Sequence, residues 1–211
     1  MKHIPHVVVG TPWENSELEL SVVQWRHLTK VLRMKRGKPL TYTDGLGRIG
    51  EGALSDHSIR RGEEGEIEPL VELTIAVAPP SNKDRQRYLV EKLAELGVSR
   101  LQWLRTTHGA NRAPNAAKVF SWVSAAVEQS RGAWLMETTP DLVKWSDLEQ
   151  PAVVCDPDGS PLGIRPRTVV IGPEGGFSDD EVPDDLTRWT LGRNVLRVET
   201  AAVVAAAKIL N

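Results

Sequence analysis

The residues best equipped for chemistry fall in two glycine-rich strings. In Ile171-Gly172-Pro173-Glu174-Gly175-Gly176-Phe177-Ser178, one carboxylate stands among residues with little or no side chain, directly after the apolar run Thr168–Ile171. Glycines at such a place let backbone N–H and C=O groups approach a ligand closely. No Gly-Lys-Ser/Thr follows, so this is not a phosphate-cradling P-loop. It suits a ligand read by main-chain hydrogen bonds, such as an adenine edge. The plainer reading is a tight strand-to-helix turn with Ser178 as helix cap. In Leu191-Gly192-Arg193-Asn194-Val195-Leu196-Arg197-Val198-Glu199-Thr200-Ala201-Ala202, a glycine turn precedes Arg197 and Glu199 at the start of an Ala/Val-rich helix. A cation and a carboxylate two residues apart can stabilise developing charge and handle a proton. Equally, they can brace one another.

A third string, Gly45-Leu46-Gly47-Arg48-Ile49-Gly50, fits the dinucleotide pattern G-x-G-x-x-G. That pattern needs a strand before it and a helix after it. Here Asp44-Gly45 is a hairpin signal and Arg48–Leu54 reads as a strand, so a turn is preferred. The single Cys155 and the scattered His3, His6, His27, His57 and His108 offer no metal-ligand spacing. No G-x-S-x-G nucleophile elbow occurs.

The 211 residues, 40% of them hydrophobic, suffice for one or two globular domains. Net charge is only −2 but unevenly spread. Ser21–Arg48 carries seven Lys/Arg against Asp44 alone, Ile49–Glu72 seven acids against two arginines, and Lys83–Arg131 nine basic residues against four acids. Clustered cations suit a polyanion footprint; the alternative is a set of ordinary solvated faces. The longest apolar run, Ala201–Ala207, is too short to span a bilayer. The opening residues lack a signal-peptide core. A cytoplasmic protein is expected.

The patterning predicts a helix over Ser21–Arg33, capped by Ser21, with Val23, Trp25, Leu28, Val31 and Leu32 as its apolar stripe and Gly37 as its stop. Strands follow at Pro39–Thr43 and Arg48–Leu54, then a Gly/Glu-rich stretch at Gly62–Glu66. After Glu72 strands alternate with helices. Strands are expected at Leu73–Ala78, Leu101–Leu104, Ala152–Cys155 and Thr168–Ile171, and ending at Thr190-Leu191. Helices are expected at Asp84–Leu96, Ala116–Gln129 and Glu199–Leu210, with at best a short one at Asp179–Leu186. This alternation indicates an α/β domain with a mostly parallel sheet, preceded by a small β-rich barrel.

Five strings in order resemble the RsmE family of 16S rRNA (uracil-N3)-methyltransferases in the SPOUT superfamily. His27-Leu28-Thr29-Lys30-Val31-Leu32-Arg33 is similar to H-x-x-x-V-L-R, and Glu91–Val98 to E/Q-K-x-T-E-L-G-V. Ala126–Arg131 is similar to A-x-E-Q-S-x-R, Ile171–Ser178 matches I-G-P-E-G-G-F-S, and Leu191–Ala201 is similar to L-G-x-R-I-L-R-x-E-T-A. Asn194 departs from the usual Arg, with Arg193 one place earlier. The Thr107–Pro114 loop and the N-terminal residues match only loosely, which bears on RNA contacts more than on cofactor binding.

The resemblance implies a PUA-like RNA-binding barrel over residues 1–70 and a SPOUT trefoil-knot domain over 73–211. It also implies a homodimer, S-adenosylmethionine as cofactor, 16S rRNA or the small ribosomal subunit as partner, and neither metal nor membrane. Cofactor contacts are expected at Cys155, Asp156, Ile171, Gly172, Pro173, Glu174, Gly175, Gly176, Leu191, Gly192, Asn194, Val195 and Leu196. RNA contacts are expected at Arg26, His27, Lys30, Arg33, Lys83, Arg85, Arg112, Arg131 and Arg193. For catalysis Arg197 stabilises charge on the uracil carbonyls, and Glu199 positions or accepts a proton. Two readings stay open beside this one: a SPOUT enzyme acting on another RNA such as tRNA, and a non-catalytic RNA-binding protein retaining the cofactor fold.

Overall fold

A computed structural model describes residues 4–69 and 71–210; His3 lies outside them. The chain forms two compact units, one of residues 1–69 with 127–135, the other of residues 70–126 with 136–211.

The first unit is a curled five-stranded half-barrel. Its strands are β1 (His6–Val8), β2 (Glu17–Glu19), β3 (Pro39–Thr43), β4 (Arg48–Leu54) and β5 (Ser58–Glu66), in the order β1-β3-β4-β5-β2. β1 runs parallel to β3 and the other pairs are antiparallel. Val7, Leu18, Leu40, Tyr42, Leu54 and Ile59 fill its interior with Trp13 and Leu28. The Gly/Glu-rich stretch is therefore the end of a nine-residue strand, not a loop. Glu63 and Glu66 face solvent, while Glu64 turns inward, on an antiparallel sheet that needs only one buried face.

The first helix is shorter than expected. Ser21 does cap it, accepting from the Gln24 N–H while Gln24 Oε1 accepts from the Ser21 N–H. The α-helical part, α1, is only Val22–Arg26, and His27–Val31 is a π-helical turn with Leu32 N–H donating to the His27 carbonyl. The expected stripe is only partly a core face: Leu28 is buried and Trp25 packs against the core, but Val23, Val31 and Leu32 are exposed. Arg33, at φ 53, takes the left-handed conformation that ends the segment before Gly37 is reached.

The glycines of the rejected dinucleotide pattern make room for neighbours. A side chain at Gly47 (φ 104) would strike the Trp134 ring, and one at Gly50 would lie 2.4 Å from the Tyr42 ring. Behind Tyr42 sits a part-buried polar clamp. Glu64 accepts from Tyr42 Oη at 2.8 Å, from Arg61 Nε at 2.6 Å and from an Arg48 guanidinium nitrogen at 2.6 Å. Arg61 also donates to the Trp13 and Asn15 carbonyls.

Two groups make this unit acid-sensitive, the part-buried Glu64 and the buried His6. Arg61 above all holds the Glu64 carboxyl down at about 2. Its stabilisation is thus complete above about 4.5 and disappears as pH falls towards about 2. Burial pushes His6 below its ordinary 6.5, against the pull of the Gly132 carbonyl that it contacts at 3.1 Å. As pH drops through 6.5, the unfolded chain takes up a proton that the fold resists, so stability declines. Burial raises Glu128, whose carboxylate receives the Val8 N–H, so its contribution fades in the opposite direction, as pH rises above 4.5. Urea midpoints measured on acidification should fall in two steps. Glu64→Gln should abolish the lower step and cost roughly 2–3 kcal/mol near neutrality.

The second unit is a six-stranded, wholly parallel sheet. Its strands are β6 (Thr74–Val77), β7 (Arg100–Leu104), β8 (Glu137–Val143), β9 (Ala152–Ser160), β10 (Thr168–Ile171) and β11 (Thr187–Trp189), ordered β11-β9-β10-β6-β7-β8. β6 and β10 are buried at every position, as continuous apolar runs between covered faces should be. Helices α2 (Lys83–Glu95), α3 (Ala116–Ser130) and α4 (Val198–Leu210) follow the expected pattern within a residue. Asn82 caps α2 by accepting from the Asp84 and Arg85 N–H groups. α4 packs on α2, β6 and β10 through Ala201, Ala202, Ala205 and Ala206, whose small side chains allow close approach. Asp179–Leu186 contains no helix. Pro183 withholds one backbone donor there, and Ser178 bonds Glu181 instead of capping a helix.

Candidate active site

At the carboxyl ends of β9, β10 and β11, where ligands of parallel sheets gather, lies a cavity of about 760 Å³. Three segments wall it: Cys155–Pro157, Ile171–Asp179 and, Arg193 excepted, Thr190–Val198, with Val182, Arg188 and Ala201. All thirteen residues expected at the cofactor are on these walls, from Cys155 and Asp156 through Ile171–Gly176 to Leu191, Gly192, Asn194, Val195 and Leu196.

Each wall is held from behind. Phe177 packs edge-on to Trp145 at 5.3 Å, and a side chain at Gly172 would lie 2.8 Å from the Phe177 ring, so the first glycine of the string admits that ring. Gly176, at φ 75, reverses the chain, and its carbonyl accepts from His108 Nδ1 at 3.2 Å. Glu181 clasps the loop to the neighbouring one, accepting from the Thr107 N–H at 2.6 Å and from the Ser178 N–H at 3.1 Å. Asp156 is kept ionised first by the Asp158 N–H and then by Arg188, its partner at 2.5 Å. Burial pushes the Cys155 thiol up to about 12, so it stays neutral and serves as apolar wall.

The two candidate catalytic residues part company. Arg197 is exposed, lines the cavity and makes no ion pair among the described residues. Glu199 is buried and does not line it. Its Oε1 lies 3.7 Å from Arg85 Nε, and its Oε2 has no hydrogen-bond partner among the described residues. The bracing pair is thus Arg85–Glu199 and not Arg197–Glu199.

The nine expected RNA contacts divide between the units. Arg26, His27, Lys30, Arg33 and Arg131 are exposed on the first, although Arg131 also donates to the Ile4 carbonyl. On the second, Lys83, Arg112 and Arg193 are exposed, whereas Arg85 is held by Glu174 at 2.6 Å. Sequence reasoning missed Arg188, Val182 and Phe177 as wall residues. Phe177 was visible inside the Ile171–Ser178 string; Arg188 sits in a three-residue strand with no motif to mark it.

Among the described residues no helix is long and apolar enough to cross a membrane, and no cluster of three metal-ligating side chains occurs. The chain matches the family model described as "RNA methyltransferase domain" over residues 66–210. It is 29% identical to a "Ribosomal RNA small subunit methyltransferase E" of Synechocystis sp., over 90% of this chain and 71% of that one. It is 27% identical to the protein of the same name from Rickettsia conorii, over 93% and 90%. A Legionella pneumophila methyltransferase solved with bound cofactor SAM aligns with TM-score 0.83 and 25% identity, covering 98% of this chain and 97% of that one. The Neisseria gonorrhoeae methyltransferase E structure shares the fold, with TM-score 0.85 at 24% identity over 98% and 96%. The chain belongs to the RNA methyltransferase domain family and, within it, to the RsmE family of SPOUT methyltransferases.

Proposed function

We propose that the chain transfers a methyl group from S-adenosylmethionine to N3 of a uridine in 16S rRNA. The observation that carries this reading is the convergence of all thirteen expected cofactor residues and Arg197 on one cavity. Its volume of about 760 Å³ suits a nucleoside-sized ligand. Its walls combine glycine backbone with the apolar Ile171, Val195 and Leu196, a donor set suited to an adenosine and not to a metal.

When bound, S-adenosylmethionine supplies a methyl group already activated by its sulfonium. The protein's task is then alignment and charge. Backbone groups of Gly172–Gly176 and Leu191–Leu196 hold and orient the cofactor. Loss of the N3 proton leaves negative charge on the flanking uracil carbonyls, and Arg197, a cavity-wall cation with no ion pair among the described residues, is available to stabilise it. Positioning is the part of the expected Glu199 role that the geometry supports, since its carboxylate lies off the cavity wall. The exposed Arg26, His27, Lys30 and Arg33 suit phosphate contacts on a PUA-like half-barrel. The proposal extends to a trefoil knot in the second unit and to a homodimer, both as the resemblance implies.

The test is methyl transfer from labelled S-adenosylmethionine to small subunits from a strain lacking this activity, followed by nucleoside analysis. Label in 3-methyluridine is the expected result. Label in another nucleoside, or only in tRNA, would replace the substrate. Cofactor binding without transfer to any of these RNAs would favour a binding protein.

A further inference from the structure

Arg85 stands outside the cavity yet touches both of the acidic residues that matter to its shape. Its guanidinium bonds Glu174 Oε1 at 2.6 Å, while its Nε lies 3.7 Å from Glu199 Oε1. Glu174 is on the cavity wall, in the loop after β10, with Ser81 Oγ 3.3 Å from its second oxygen. Glu199 is in the first turn of α4, two residues beyond Arg197, with its side chain only 9% exposed. The Arg85 backbone is held at the start of α2, where its N–H donates to Asn82 Oδ1. Three separate segments of the fold therefore meet at one cation, and two of them contribute residues to the cavity wall.

We propose that Arg85 is a positioning residue: one guanidinium shared by Glu174 and Glu199 sets the Ile171–Ser178 loop against the Arg197 turn and so shapes the cofactor site. This rests on the cavity's being the S-adenosylmethionine site. The fork geometry matters, because an arginine presents several donors in fixed directions, whereas a lysine is a point charge that serves one partner well. Removing the cation leaves Glu199 buried without a counter-charge and frees Glu174 to turn to solvent. The two walls then lose their common reference, although neither has lost a group that lines the cavity. An Arg85 that served as a free RNA-contacting cation would have no such effect on a small ligand.

The experiment measures S-adenosylmethionine affinity by calorimetry, with the ligand-free thermal midpoint recorded in parallel. It uses the full chain as wild type, Arg85→Lys, Arg85→Gln, Glu174→Gln and the Arg85→Gln/Glu174→Gln pair. Arg85→Gln should weaken binding about tenfold or more, and Arg85→Lys should recover part of the loss. The double variant should bind no more weakly than the weaker single one, because the two residues act through one contact. A mere fold brace would lower the midpoint and leave the affinity of the folded protein unchanged, and that result overturns the proposal. Losses that multiply in the double variant overturn it as well. Wild type that binds neither S-adenosylmethionine nor S-adenosylhomocysteine would remove the cofactor reading itself, and the Arg85 role with it. Normal wild-type binding with an unaffected Arg85→Gln removes only the latter.

Discussion

Arg197→Ala should slow methyl transfer by about two to three orders of magnitude while changing S-adenosylmethionine affinity only a few-fold. Arg197 is the one residue of the expected catalytic pair on the cavity wall, and it makes no ion pair among the described residues. A cation without a fixed partner contributes little to the fold. On the proposed mechanism it acts on charge that appears only as the N3 proton leaves, and a group stabilising only that state acts on turnover, not on ground-state binding. Arg197→Lys should retain part of the rate. Single-turnover transfer alongside calorimetric binding separates the two quantities. Wild-type turnover in Arg197→Ala would remove the residue from the mechanism.

The second large effect is expected from a contact between backbones, where no side-chain charge is altered. A Cβ on Gly159 would lie 2.7 Å from the Arg188 carbonyl carbon and 2.8 Å from its oxygen. These are backbone atoms of the neighbouring strand, so nothing flexible can give way. β9 and β11 can pair as they do, with a register shift at Arg188/Trp189, only if one of them has no side chain there. Gly159→Ala should cost about 2–3 kcal/mol of stability. It should also weaken S-adenosylmethionine binding at least about tenfold, because Cys155–Pro157 and Thr190–Leu196 line the cavity on either side of that pairing. Gly163→Ala is the control: a Cβ there meets nothing within 4 Å, and both measurements should stay at wild-type values.

The sequence made the second unit and its cavity walls readable because each signal was local. Thr74–Val77 and Thr168–Ile171 are apolar at nearly every position, and a strand buried on both faces needs no partner to reveal itself. The glycine strings announced a close backbone approach. What stayed hidden depended on contacts distant in the chain. β1 and β2 are three-residue strands whose only periodicity is supplied by β3 and β5. Val23, Val31 and Leu32 read as part of a core stripe with Trp25 and Leu28, but the π-turn at His27–Val31 breaks the spacing that would have aligned them. Val127–Leu135 joins the first unit because Gly47 N–H and Thr43 Oγ1 reach the Ala133 carbonyl, a pairing no helix pattern foretells. Arg85 was expected to meet phosphate. Only the folded chain brings Glu174 and Glu199 to it.

The place of β10 in its sheet has a consequence for the timing of synthesis. It lies between β9 and β6, and Thr168 pairs with Thr74, about ninety positions earlier. A nascent chain that has finished β6, β7 and β8 still holds an unmated sheet edge along β6, which only β10 covers. Pairings of such long range form slowly. Every segment walling the cavity emerges later than Ser146, and α4 comes last of all. A ribosome-bound intermediate stalled before Val198 should therefore have no affinity for the cofactor, and onset of binding would time the closing of the sheet rather than the emergence of any one motif.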